Sequence, residues 1–328
     1  MLSKRQNMLE TIKGGKPDRF VNQYEYLGIV MGDPITARNP RASLGGENVD
    51  FWGVTHRWPA HVPGSFPVHD QEHKLIKDVT KWQDVLKAPS LESSPEDWKG
   101  IQAQVAKIDR NEQFVTIFGA PGIFEQTHYF MGMDDTLINF YEEPEAMHEL
   151  IDFITEWKLG YAKEIVKYVK PECLFHHDDW GSQINSFLAP DMFAEFFVPA
   201  YKKLYSFYKE NGVELIVHHN DSFSANLVPH MIEMGIDVWQ GCMTTNNTPE
   251  LVKKYGGQIS FMGDLDNGLL DREDWSRELI AKEVRRACET NGKHYFIPCL
   301  VRGLSGSTFP GVYEAVSEEI DKMSKEMF

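Results

Sequence analysis

From Gln113 onward the chain alternates two kinds of segment, and this limits the folds open to it. Short runs of β-branched and aromatic residues are each followed by a longer segment with helical spacing. Runs over 113–118, 172–175, 213–217, 236–239, 258–261 and 294–297 read as strands. Segments 134–141, 144–168, 190–211, 223–234, 248–255 and 274–290 read as helices, with a last helix from Pro310. Such alternation predicts a parallel sheet with helical crossovers. A first strand over Phe20–Leu27 follows an opening helix capped by Ser3, and Val49–Val54 is the candidate for an eighth strand. The expected fold class is α/β, a closed (β/α)8 TIM barrel. An open doubly wound sheet is the alternative. No GxGxxG follows the first strand and no GxxxxGK[ST] occurs, so neither a dinucleotide fold nor a P-loop is supported.

One strand end stands out. Val213, Leu215, Ile216 and Val217 form an apolar run that breaks into His218-His219-Asn220-Asp221-Ser222. Polar groups of this kind are costly to bury unless hydrogen-bonded or bound to metal. In a barrel all strand tips open on one mouth. The tips supply Tyr24, Glu125, His176, His177, Asp178, Asp179, His218, His219, Asp221, Gln240, Cys242, Asp264, Asp266, Cys299 and Arg302. Acid–base work and metal binding both fit that set. His219 and Asp221 stand two apart and share a face if the strand stays extended. With Cys299 they would suit a catalytic zinc; otherwise they orient substrate and Cys299 is a small core residue. Adjacent strand residues face opposite ways, so only one of Asp178 and Asp179 looks inward; the reading takes Asp178 for the mouth and Asp179 for capping.

Residues 32–112 are irregular, rich in proline, glycine and aromatics. They read as a lid or side-wall insertion after the first strand, laid over a single barrel domain of residues 1–328. A net charge of −16 disfavours nucleic acid and acidic membrane surfaces as partners. Four scattered cysteines imply reduced thiols and a cytoplasmic setting. Neither a signal peptide nor a membrane-spanning run is legible.

Several pieces resemble the uroporphyrinogen decarboxylase superfamily in the same order along the chain. They are Lys16-Pro17-Asp18-Arg19, Gly119 to Glu125 followed by Gly132, Asp178-Asp-Trp-Gly-Ser-Gln183 with Pro190-Asp-Met-Phe, His219-x-Asp221 with Gly235-Ile-Asp237, and Phe261-Met-Gly-Asp-Leu-Asp266. The resemblance implies a (β/α)8 barrel with its site at the C-terminal mouth. True decarboxylases of this superfamily carry an R-Q-A-G-R-Y stretch that holds substrate carboxylates. Here the matching segment is Tyr24-Glu25-Tyr26-Leu27-Gly28, without arginine. The other branch, corrinoid-dependent methyltransferases, often binds zinc through an H-x-C pair and a later cysteine; His219, Asp221 and Cys299 fall at or near those positions.

The expectation is therefore a methyltransferase component of a corrinoid (cobalamin) system. It would move a methyl group from a small methylated substrate, best a methoxylated aromatic, to cobalamin on a separate corrinoid protein. Asp178, His219 and Glu125 are the expected catalytic residues. Tyr24, Trp52, Trp58, Trp180, Asp264 and Arg302 are expected to bind substrate, and His219, Asp221 and Cys299 a zinc ion. The alternative is a decarboxylase of tetrapyrrole metabolism.

Overall fold

The computed structural model describes residues 1–62 and 64–328; Pro63, within the irregular segment, lies outside them. Seven strands form one sheet in chain order: Leu27–Val30, Phe114–Gly119, Cys173–His177, Leu215–His219, Val238–Cys242, Ser260–Leu265 and Phe296–Leu300. Every neighbouring pair is parallel. Alternation sorts each strand's side chains to two faces. Cys173, Phe175, Leu215, Val217, Val238, Met262, Ile297 and Cys299 meet on the inner face with Tyr24, Tyr26 and Phe114. Residues from the first and last strands share that cluster, so the sheet curls around it. The Tyr26 hydroxyl reaches Met262 Sδ across it at 3.4 Å. Ile216, Trp239 and Phe261 face the other way and bury against the surrounding helices, which include Pro144–Tyr168 and Val198–Glu210.

The first strand differs from expectation. Residues 20–22 are irregular and 23–26 form a turn, and pairing begins only at Leu27. Gln23, with φ of 51°, sits in this lead-in. Its carboxamide does the work of the absent ladder between the first and last strands. Oε1 accepts from Leu300 N at 3.4 Å, and Nε2 donates to Ser317 Oγ at 2.7 Å and to the Tyr313 carbonyl at 3.3 Å. Tyr24 adds a hydrogen bond from its hydroxyl to the Arg302 carbonyl, 2.7 Å. Both chain ends lie beside this region. The Met1 amino group is 4.0 Å from Asp18, and the Phe328 ring stands edge-on to Phe20 at 5.1 Å.

The expected eighth strand belongs elsewhere. Glu47–Val49 pairs antiparallel with Thr55–Arg57, which pairs with Phe66–Pro67. Asp50 closes the turn between the first two by accepting from Trp52 N and Val54 N. A polar hairpin turn thus splits what reads as one apolar run. Residues between Val30 and Phe114 also carry the short helices Trp82–Val85 and Lys99–Val105. Among the described residues no helix is long and apolar enough to cross a membrane.

Candidate functional site

Three adjacent strands bring His177, His219 and Gln240 to one height, since His177 pairs with His219 and His219 with Gln240. The inward parity of Phe175 and Val217 carries through to both histidines. Their rings stack at 4.7 Å and 16°. Asp179 Oδ2 lies 3.8 Å from His177 Nε2, and Asp221 Oδ2 lies 4.0 Å from His219 Nε2. Asp221 N donates to Asp179 Oδ1 at 3.1 Å, tying the two loops together. Glu125, on the helix Ile123–Met131, places Oε1 3.2 Å from His177 Nε2; its Oε2 is buried without a hydrogen-bond partner.

Gln240 decides how His219 is used. Its Nε2 donates to the carbonyls of Leu300, Val301 and Arg302, at 3.3, 3.3 and 3.4 Å. The amide is thereby oriented with Oε1 toward His219 Nδ1, with which it forms a short hydrogen bond. A carbonyl oxygen only accepts, so Nδ1 carries the proton and a neutral ring keeps its lone pair on Nε2, facing the cluster. Burial, reinforced by His177, lowers the His219 pKa and so favours that neutral ring. Gly303 lies over the ring; a Cβ there would come within 3.1 Å of it.

Charges within the cluster oppose one another. Burial alone would push His177 down, but Glu125 and then Asp179 outweigh it and raise it to about 10. Burial raises Glu125 against the pull of His177. Burial and Asp179 raise Asp221. A proton shared by buried carboxylates and an imidazole suits general acid chemistry near neutral pH.

Asp178 takes the role expected of Asp179. It is fully buried outside the cluster, where it accepts from Phe124 N at 3.0 Å, Glu125 N at 2.8 Å and Trp180 Nε1 at 3.1 Å. It therefore caps the helix that carries Glu125. Burial and the Glu125 carboxylate push it up to about 8, against the pull of these donors. Lys158, half-buried nearby, donates to the Pro121 carbonyl at 2.6 Å, and desolvation of its ammonium pushes it down to about 8.

Other expected site residues are dispersed. Asp264 points outward: Gly263 at φ 152° and Asp264 at φ 62° turn the chain, and the carboxylate binds Arg286 Nη1 at 2.9 Å and Asn291 Nδ2 at 2.7 Å. Trp180 is buried outside the sheet, stacked on His218 at 4.0 Å. Trp52 is buried among Phe130, Phe153 and Trp157. Trp58 donates to the Val62 carbonyl within its own turn. Tyr24 lies inside the sheet, and Arg302 is exposed, with Nη1 on Thr308 Oγ1 at 3.1 Å.

The expected metal trio also changes. Cys299 lies in the inner core, its thiol raised well above its ordinary range by burial. The group that converges among the described residues is His177, Asp179 and His219, with ligand atoms within 4.8 Å of one another. Two imidazoles and a carboxylate are a donor set that zinc accepts. Gln240, fixing the outer nitrogen of His219, is the second-layer support such ligands need. The residues therefore fit a zinc-like ion, through His177 and Asp179 in place of Asp221 and Cys299. Strand parity marks His177 as inward once Phe175 is placed in the core. Gln240 was legible as a strand tip, but without a role.

Comparison with known proteins follows the geometry. No curated protein matches the chain by sequence. Among solved structures, the chain is similar to a methyltransferase from Methanosarcina mazei, with a TM-score of 0.64 at 15% identity, covering 98% of this chain and 99% of that one. A B12-independent methionine synthase from Shewanella sp. W3-18-1, in complex with selenomethionine, gives a TM-score of 0.41 at 14% identity over 74% of this chain and 70% of that one. The family model described as uroporphyrinogen decarboxylase matches residues 62–323, and the chain belongs to that family.

Proposed function

We propose that the protein is the methyltransferase component of a corrinoid-dependent system that demethylates a methoxylated aromatic. The observation that carries this reading is the pairing of Glu125 with His177 beside a neutral His219. The cluster is built from carboxylates and imidazoles, and Arg302 at its rim is turned to Thr308. An eight-carboxylate porphyrinogen needs cations around it, so the site's charge speaks against the decarboxylase reading. A methyl ether needs the opposite provision: a proton for its departing oxygen.

In this reading the substrate's ether oxygen sits against Glu125 and His177. A separate corrinoid protein, when docked at the mouth, would supply cobalt as the nucleophile for the methyl group. As the C–O bond breaks, the pair gives its proton to the oxygen, and Asp179 holds His177 in place. Asp178 acts indirectly, by setting the helix that aims Glu125. A zinc ion, when bound, would be held by His177, Asp179 and His219 and would supply Lewis acidity in place of the His177 proton, leaving Glu125 as the acid. The loop at Gly303 shields His219 from water.

The test is incubation with a methoxyarene, a reduced corrinoid protein and a reductant, followed by absorbance. Methylcobalamin should appear, and Glu125→Gln should slow its formation roughly 10²–10⁴-fold. No methylcobalamin with any methoxyarene, together with release of coproporphyrinogen from uroporphyrinogen, would replace this reading with the decarboxylase one.

A further inference from the structure

Tyr129 stands between the Glu125 cluster and the hairpin of the irregular segment. It lies one turn past Glu125 on the helix Ile123–Met131, and side chains at that spacing share a helix face. Its ring is held from two sides. His128 of the same helix meets it at 5.0 Å and 79°, and His56 at 5.8 Å and 78°, both edge-on. His56 comes from the strand Thr55–Arg57, and Asp50 anchors it, with Oδ2 3.1 Å from Nε2. Strand alternation turns His56 to the face opposite the exposed Arg57, so the hairpin lays its imidazole inward onto Tyr129.

Tyr129 is half-buried, and its hydroxyl makes no hydrogen bond among the described residues. Burial raises its pKa well above the ordinary range, and Glu125, Asp178, Asp179 and Asp50 add to the rise in that order. The phenol therefore keeps its proton and remains a neutral donor beside the cluster. A departing ether oxygen needs such a group. It keeps the electron pair of the broken bond, so negative charge grows on it close to the carboxylates of Glu125, Asp179 and Asp221. Donors fixed in place beforehand stabilise that charge without reorganising as it develops. The two edge-on imidazoles give Tyr129 this fixity.

We propose that Tyr129 is a further catalytic residue, whose hydroxyl donates a hydrogen bond to the substrate's ether oxygen and holds it as that oxygen departs. This rests on the methyl-transfer reading. The bond between methyl carbon and oxygen breaks with its electron pair on oxygen, and the methyl group passes to the corrinoid protein. The proton that neutralises the oxygen comes from the Glu125–His177 pair, while Tyr129 retains its own.

Tyr129→Phe tests the assignment by binding and by rate. Isothermal titration, with no corrinoid protein present, compares anisole with ethylbenzene, in which a methylene replaces the ether oxygen. The preference for anisole should fall roughly two- to tenfold in the variant, the worth of one neutral hydrogen bond. The variant should melt where the wild type does, because the hydroxyl has no protein partner to lose. In the methylcobalamin assay, transfer from anisole should slow roughly 10²-fold. Transfer from 4-cyanoanisole should slow less, since the cyano group draws charge off the departing oxygen and leaves the hydrogen bond less to stabilise. An unchanged preference, no binding of either probe, equal slowing of both methoxyarenes, or a variant that melts well below the wild type overturns the assignment. A lost preference with no methylcobalamin from any methoxyarene keeps the hydrogen bond and sinks the methyl-transfer reading alone. Methylcobalamin formed equally fast by both proteins does the reverse.

Discussion

His128 keeps an imidazole nitrogen among the rings of Phe124 and Tyr129, and burial pushes its pKa down to about 3. His69 is the charged-capable group that faces it, and it adds to the same lowering. The unfolded chain binds the proton near 6.5, well above the folded value. Stability from this group is therefore complete above about pH 6.5 and drains as pH falls toward 3. His128→Phe should flatten that part of the acid limb, seen as a smaller loss of melting temperature between pH 6.5 and 4 than in the wild type. Such a residue gives little away in a sequence. His128 falls in the stretch between the strand read over 113–118 and the helix read over 134–141, where the sequence predicts no element, and only the arrival of His69 from the irregular segment makes a pair.

At the scale of elements, the site depends on how the helix Ile123–Met131 begins. Gly122 has no side-chain cap, and the donors Phe124 N and Glu125 N turn instead to Asp178. A Cβ on Gly122 would lie 2.1 Å from Asp178 Cγ, so the carboxylate occupies the space the glycine leaves. Asp178→Ala should lower stability by about 3 kcal/mol, because it strands two backbone donors and the Trp180 indole. Urea denaturation measures this. The same change should slow any Glu125-dependent reaction through lost alignment. Six of the seven sheet strands were legible to within a few residues, since apolar runs and helical spacing are local signals. The first was not: residues 20–26 are apolar enough for a strand but are spent on the Gln23 turn. Strand parity also decided which aspartate faces the cluster, and it could be read from Phe175 and Val217. The outward turn of Asp264 could not, because it depends on backbone angles at Gly263 and Asp264 that no apolar pattern reports.

At the scale of the whole molecule, the sheet's closure is a side-chain affair. Gln23 bridges Leu300 to the last helix, Val312–Met327, through Ser317. Gln23→Leu should cost about 1–2 kcal/mol, and amide exchange should quicken first at Leu300 and along Leu27–Val30. Hydrogen-exchange mass spectrometry resolves those segments. Because Gln240 hangs from the carbonyls of Leu300, Val301 and Arg302, the loosened edge should also disturb the His219 ring. The meeting of Met1 with Asp18 and of Phe328 with Phe20 has a further consequence. The backbone can be rewired: a short glycine-serine tether joining residue 328 to residue 1, with fresh ends cut at Asn211-Gly212, gives a circular permutant. That exposed turn lies on the side of the sheet away from the histidines, so the permutant should retain the far-ultraviolet spectrum and a cooperative melt.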